Sequence, residues 1–216
     1  MNDYEALLHQ AKRLEALQEI RNLMGRYSYL HSAFRNKEYA ELWAKRDDDR
    51  LVMPFGKFVG WEAVRHCYVD LHGDRSNPAD LDELRGLMMI HLMNTEIIEV
   101  AADGKTAKGV WLSPGTETAP QTGKEKGAWC WGKYEVEFIK EDGIWKFWHM
   151  ILYPLFLSPY NSSWGQPAPE KMLGQIQLED PMCQPLDAPM WEYGPDAEYP
   201  YDEPAMPDPY DHYKGL

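Results

Sequence analysis

The chain has 216 residues, 44% hydrophobic and 26% charged, a globular composition with length for one domain and an appendage. A net charge of −13 leaves no basic patch to release counterions from nucleic acid, so nucleic acid is excluded as a partner. No apolar run approaches the roughly 18 residues of a membrane-spanning helix, so no membrane association is expected.

The N-terminus, MNDYEALLHQAKRLEAL, lacks a basic leader, apolar core and small-residue cleavage site, which points to the cytoplasm. Leu14, Leu17, Ile20, Met24, Tyr27, His31 and Phe34 then follow at spacings of three and four, one face of a helix. Gly25 interrupts the stripe and marks a candidate bend, and Asn36 a candidate end. A short second helix carries Tyr39, Leu42 and Trp43 on one side. Leu51 to Phe55 reads as a strand stopped by Pro54 and Gly56. After Gly60, Trp61, Val64, Tyr68 and Leu71 form a third helical stripe.

Residues 73–84 are loop-like, and the period then changes to two. Leu87 to Val100 reads as a strand, with Asp103-Gly104 as its hairpin turn and Thr106 to Leu112 as the return. Residues 113–126 read as a polar loop. Ala128 to Lys140 and Ile144 to Leu152 form a second hairpin around Asp142-Gly143. Three helices followed by an antiparallel meander predict an α+β domain over residues 1–152.

Residues 153–216 differ. They hold eleven acids against two bases and twelve of the sixteen prolines. A solvated acidic tail is normally poor in aromatics. This one carries Phe156, Tyr160, Trp164, Met172, Leu173, Trp191, Tyr193, Tyr199 and Tyr201. It is read as an extended strap lying on the domain or on a partner subunit.

Four stretches in order, LEALQEIRNLMGRYSYLHSAFRNKEYAELWA, FVGWEAVRHCY, HLMNTEIIEVAADGKTAKGVW and GKYEVEFIKEDGIWKFWH, resemble the nuclear transport factor 2-like superfamily. The resemblance covers roughly residues 12–152 and is nearest the SnoaL-like branch, with scytalone dehydratase, bile-acid dehydratase and ketosteroid isomerase as relatives. It implies a curved sheet wrapped around helices, a cone with one deep apolar pocket, and chemistry without metal or organic cofactor. It also implies that His91 occupies a position often filled by a working histidine. Two departures stand out. Arg35 lies where many SnoaL-like enzymes carry an acid, and Met53 where ketosteroid isomerase has its base.

The candidate acid–base groups are His91, which interrupts an apolar strand, and Tyr27 with His31, adjacent at i and i+4 on the buried stripe. Each also admits a structural reading as a packed, hydrogen-bonded core residue. Arg65, Tyr134, Trp111, Met53 and His149 are candidate substrate-binding residues; for Arg65 a surface salt bridge is the competing reading, and for Tyr134 and His149 core packing. Cys67, Cys130 and Cys183 are widely spaced with no Cys-x-x-Cys, and His66, His72 and Cys67 form no recognised ligand set, so no disulfide framework or metal site is expected. Trp129, Trp131, Lys133, Glu135 and Glu137 share a strand face that suits a second subunit, so a homodimer or higher homo-oligomer is expected.

The resulting expectation is a cofactor-independent lyase on a hydrophobic aromatic small molecule. The resemblance extends to diarylpropane lyases of the superfamily and implies the specific form of it, release of formaldehyde from a lignin-derived diarylpropane diol, which suits a carboxylate-poor, aromatic-rich site. A steroid or polyketide dehydratase or isomerase, and a non-catalytic binding module, are the alternatives.

Overall fold

The computed structural model describes residues 2–118, 127–165, 179–200 and 202–214. Helix α1 (Asp3–Ser32) opens on a capping box, in which the Asn2 side chain and the Glu5 carboxylate each accept the other's backbone N–H at 2.9 Å. Cover begins only at Ala16, so Ile20, Met24, Tyr27 and His31 are buried while Leu14 stays 67% exposed. Gly25 does not break the helix. Helix α2 (Asn36–Ala40) follows, then strands β1 (Arg50–Met53) and β2 (Gly56–Val59). The sequence predicts one strand here; Pro54 and Phe55 instead turn a hairpin. Helix α3 (Trp61–His66) continues into a wider, π-type turn over Cys67–Leu71.

The remaining strands are β3 (Met89–His91), β4 (Asn94–Val100), β5 (Thr106–Glu117), β6 (Ala128–Glu141) and β7 (Ile144–Pro159). The expected strand over 87–100 is two strands. The expected loop over 113–126 begins five residues too early, because Ser113–Glu117 pairs with β6 in continuous register despite Pro114 and Gly115. The Pro114 carbonyl accepts from Leu92 N–H, so that part of the backbone is satisfied. The sheet order is β2-β1-β7-β6-β5-β3, with β4 also on β5. Strand β1 runs parallel to β7, so the sheet is mixed, not a pure meander. It is curved and unclosed, and the helices fill its concave side. The core there is aromatic: Tyr27, Tyr39, Trp43, Phe58, Tyr68, Phe138 and Phe147 are wholly buried. Each such ring contributes about 1.5–3 kcal/mol by leaving water.

The expected boundary at residue 152 falls inside β7. Beyond Pro159 the described part of the tail lies on the domain of its own chain. Gln184 exchanges backbone hydrogen bonds with Lys57 of β2, and Tyr193 N–H donates to Leu155 O. Further on, Ala102 and Asp103 donate to Tyr210 O and Asp211 O. The Tyr213 ring packs on Trp148 at 4.7 Å. Met172, Leu173 and Tyr201 lie outside the described residues. This strap covers the Lys133 and Glu137 end of the outer face that the sequence offers to a second subunit, while Trp129 and Trp131 stay 37% and 40% exposed. Lys133 Nζ donates to Glu203 O and sits over Tyr199, and the Tyr213 hydroxyl donates to Glu137. Among the described residues no helix is long and apolar enough to cross a membrane.

Candidate active site

A cavity of about 320 Å³ opens between α1, the π-type turn and the inner faces of β3, β5 and β6. It gathers Tyr27 and His31 from α1, His91 from β3, Tyr134 from β6 and Met53 from the end of β1. These come from four distant stretches of sequence, brought together because each occupies the concave side of its element.

The first polar group is His31. Asn36 Nδ2 donates to Gly73 O at 2.7 Å, which turns its Oδ1 toward His31 Nδ1 at 2.8 Å. That acceptor places the imidazole proton on Nδ1 and leaves Nε2 with a free lone pair. Burial, with His72 and His91 nearby, pushes the His31 pKa down to about 3. His91 lies parallel to His31, with ring centroids 6.0 Å apart. Its backbone carbonyl accepts from Ser28 Oγ, while its ring has no hydrogen-bond partner among the described residues. Burial and His72 lower its pKa to about 4.

The Tyr27 and Tyr134 hydroxyls are 2.9 Å apart. Burial raises Tyr27 to about 12 and Tyr134 well above its ordinary value. Both phenols therefore stay protonated; one donates to the other, and the remaining hydroxyl proton is available to a developing oxyanion. The site thus combines neutral imidazoles, which can take a proton, with phenols, which can give a hydrogen bond.

Sequence reasoning weighed His72 only as a metal ligand, not as a cavity residue. Its Nδ1 donates to Cys67 O at 2.7 Å, and its ring meets His31 edge-on at 5.5 Å. A straight α-helix keeps residues three or four apart on one face. The π-type turn adds a residue and swings His72, five after Cys67, into the cavity. Asn36, read only as a helix end, proved to orient His31. Glu117 and Ser113 were assigned to a loop and in fact line the cavity. Burial and the Glu117 carboxylate together push the Cys130 thiol pKa up.

Three expected binding residues stand elsewhere. Arg65 is on the outside, 3.6 Å from Asp70. Trp111 faces inward but lies deeper, its ring occupying the space beside Gly109 and meeting Phe138 at 6.0 Å. His149 is on the outer face, bonded to Glu137 and to Asp48 O and stacked on Trp148. Arg35, at the start of α2, pairs with Glu38. Among the described residues no group of three or more His, Cys, Asp or Glu has metal-binding geometry.

The lowered histidines set an expected pH response. Unfolded, an imidazole takes up its proton near pH 6.5; folded, His31 and His91 do so only near 3 and 4, and His72 is lowered by burial too. Between those limits the unfolded chain holds more protons, so stability falls as pH drops from about 6.5 toward 4. Asp49, raised by burial to about 6, acts oppositely, but three groups outweigh one. Melting temperature measured across this window should decline; a flat profile would show the imidazoles to be water-accessible.

A SnoaL-like domain family model matches residues 12–151. No curated protein matches the chain. Three solved structures illustrate the likeness. A candidate scytalone dehydratase from Novosphingobium aromaticivorans has TM-score 0.56 and 16% identity, over 83% of this chain and 98% of the other. A hexachlorocyclohexane dehydrochlorinase from Novosphingobium barchaimii has TM-score 0.55 and 16% identity, over 71% and 96%. A candidate aromatic ring hydroxylase from Novosphingobium aromaticivorans has TM-score 0.52 and 16% identity, over 68% and 94%. At such identities the likeness is one of fold. The family match spans well over half the chain, and it ends inside β7 where the strap begins to take over. The chain therefore belongs to the SnoaL-like domain family, its helices and curved sheet carrying a C-terminal strap.

Proposed function

We infer that the protein is a cofactor-independent lyase acting on a hydrophobic aromatic small molecule. The observation that carries this reading is the cavity itself: neutral His31, His72 and His91 beside the Tyr27–Tyr134 phenol pair, enclosed by apolar and aromatic walls. Phe34, Phe55 and Met89 supply flat and adaptable surface for aromatic rings. Solved structures of this fold carry names from dehydratase and dehydrochlorinase chemistry, both eliminations.

The specific reaction proposed is fragmentation of a diarylpropane-1,3-diol. His91 takes the proton of the primary hydroxyl. The carbon–carbon bond breaks, the hydroxymethyl carbon leaves as formaldehyde, and the electron pair forms the double bond between the two ring-bearing carbons. The benzylic carbon–oxygen bond breaks in the same flow, and that oxygen receives the proton from His91 and leaves as water. One diol gives one alkene, one formaldehyde and one water, and His91 ends neutral as it began. Tyr27 and Tyr134 stabilise negative charge on oxygen during the transfer.

The test is incubation with phenolic diols, steroids and polyketides, with product mass and formaldehyde trapping as readouts. Loss of formaldehyde and water together is expected. Loss of water alone would make the protein a dehydratase working with the same groups. No mass change with any class would sink the lyase reading in favour of a binding module. The wild-type kcat/KM should show no acid limb near pH 6.5, because the working imidazoles are already neutral there.

A further inference from the structure

Ser113 sits on the inner side of β5, only 2% exposed, at the wall of the cavity. Its hydroxyl has no hydrogen-bond partner among the described residues. Buried hydroxyls are in the large majority hydrogen-bonded, so an orphan aimed into a cavity calls for a reason. The other unpartnered groups include the indole nitrogens of Trp43, Trp145 and Trp148, and none of those rings lines the cavity.

The register shows what this hydroxyl faces. Inward positions of β5 are Trp111, Ser113, Gly115 and Glu117, about 7 Å from one to the next. Gly115 stands opposite His91 on β3, and Trp111 stands opposite Tyr134 on β6. Ser113 therefore lies between the His91 imidazole and the phenol pair. The absence of a side chain at Gly115 is what seats that imidazole beside Ser113: a Cβ there would stand 2.9 Å from His91 Nδ1. The residue opposite Ser113 on β6 is Gly132, which also has no side chain.

We propose that Ser113 is a substrate-binding residue that holds a second oxygen of the substrate while His91 engages the first. The ligand class is an aromatic compound whose linking chain carries two hydroxyls, not one. A serine hydroxyl both donates and accepts, so it can follow that oxygen from hydroxyl to departing water. The proposal rests on the lyase reading of the cavity and adds the group that selects for the second oxygen.

The test uses two probes without the hydroxymethyl group that fragmentation needs: 1,2-bis(4-hydroxyphenyl)ethane-1,2-diol and the matching mono-alcohol. Binding is measured by calorimetry on the full chain. Wild type should prefer the diol by about tenfold, the worth of one added hydrogen bond. Ser113→Ala should erase that preference, leave mono-alcohol affinity unchanged, and leave melting temperature unchanged or higher, because it removes an unsatisfied buried group. A Ser113→Ala protein that keeps the diol preference overturns the assignment and leaves the lyase reading standing. A variant that melts lower and loses both probes equally also overturns it, since that is a structural serine. Wild type binding neither probe overturns both readings.

Discussion

His91→Gln should lower kcat by about two to four orders of magnitude, the usual worth of a positioned proton-transfer group. Glutamine keeps similar volume and a polar end but cannot shuttle a proton at neutral pH. The fold should tolerate the change. The His91 ring has no hydrogen-bond partner to lose among the described residues, and what the site uses from its backbone, the carbonyl bonded to Ser28, remains. KM should move little, because the walls of the cavity are unaltered. The measurement is steady-state kinetics beside a thermal melt. Near-normal turnover in a folded His91→Gln protein would remove His91 from the chemistry. The role would then pass to His31, whose free Nε2 faces the same space. In that case Asn36→Leu should be the damaging variant, since it removes the acceptor that places the His31 proton.

Ending the chain after Gly165 should lower the melting temperature by roughly 5 °C or more, or cause aggregation. Tyr210 and Tyr213 are each half-buried on the domain. Two such rings correspond to about 2–3 kcal/mol, and at this chain length 1 kcal/mol moves the melting point by roughly 2–4 °C. The same cut uncovers the Glu137–His149 pair, now sealed by Tyr213 and flanked by Lys108. It also frees Lys133 from Glu203 O, and His66 from Asp180, the carboxylate that raises its pKa. An unchanged melting temperature would mean that the strap is not seated in solution. A truncated protein that dimerises through the bared face would show the face to be self-complementary once uncovered.

Much of this molecule was readable from spacing alone. The three-and-four rhythm of α1 puts Tyr27 and His31 on the buried face, and the change to period two at residue 87 marks where the run of strands β3 to β7 begins. Inward parity on β6 places Tyr134, and the interruption of an apolar strand singles out His91. The failures have physical causes. Trp148 and His149 are consecutive yet both lie on the outer face under the strap, because a register shift against Glu137 and Phe138 leaves Trp148 as an extra residue in β7. Alternation loses its facing information across such a bulge. Arg65 lies off the stripe of Val64 and Tyr68 that faces the core, so the spacing of α3 itself places it outside, beside Asp70. Ser113 and Glu117 were hidden by Pro114 and Gly115, residues that ordinarily end strands and here sit inside one. Asn36 and His72 gain their meaning only from partners distant in sequence or from a turn of unusual width.

That turn has a consequence for how this cavity changes over evolutionary time. Each residue in an α-helix advances the chain by about 100°. Deleting one residue within Cys67–Leu71 would return the turn to ordinary helical winding and rotate His72 out of the cavity, with little effect on the strands around it. A single codon gained or lost, with no residue of the catalytic wall substituted, thus exchanges a three-imidazole site for a two-imidazole one. Members of the same family with closely similar backbones can then differ in the basicity of their reaction centre through a length difference on the far side of α3. An alignment that scores only substitutions passes over that kind of change.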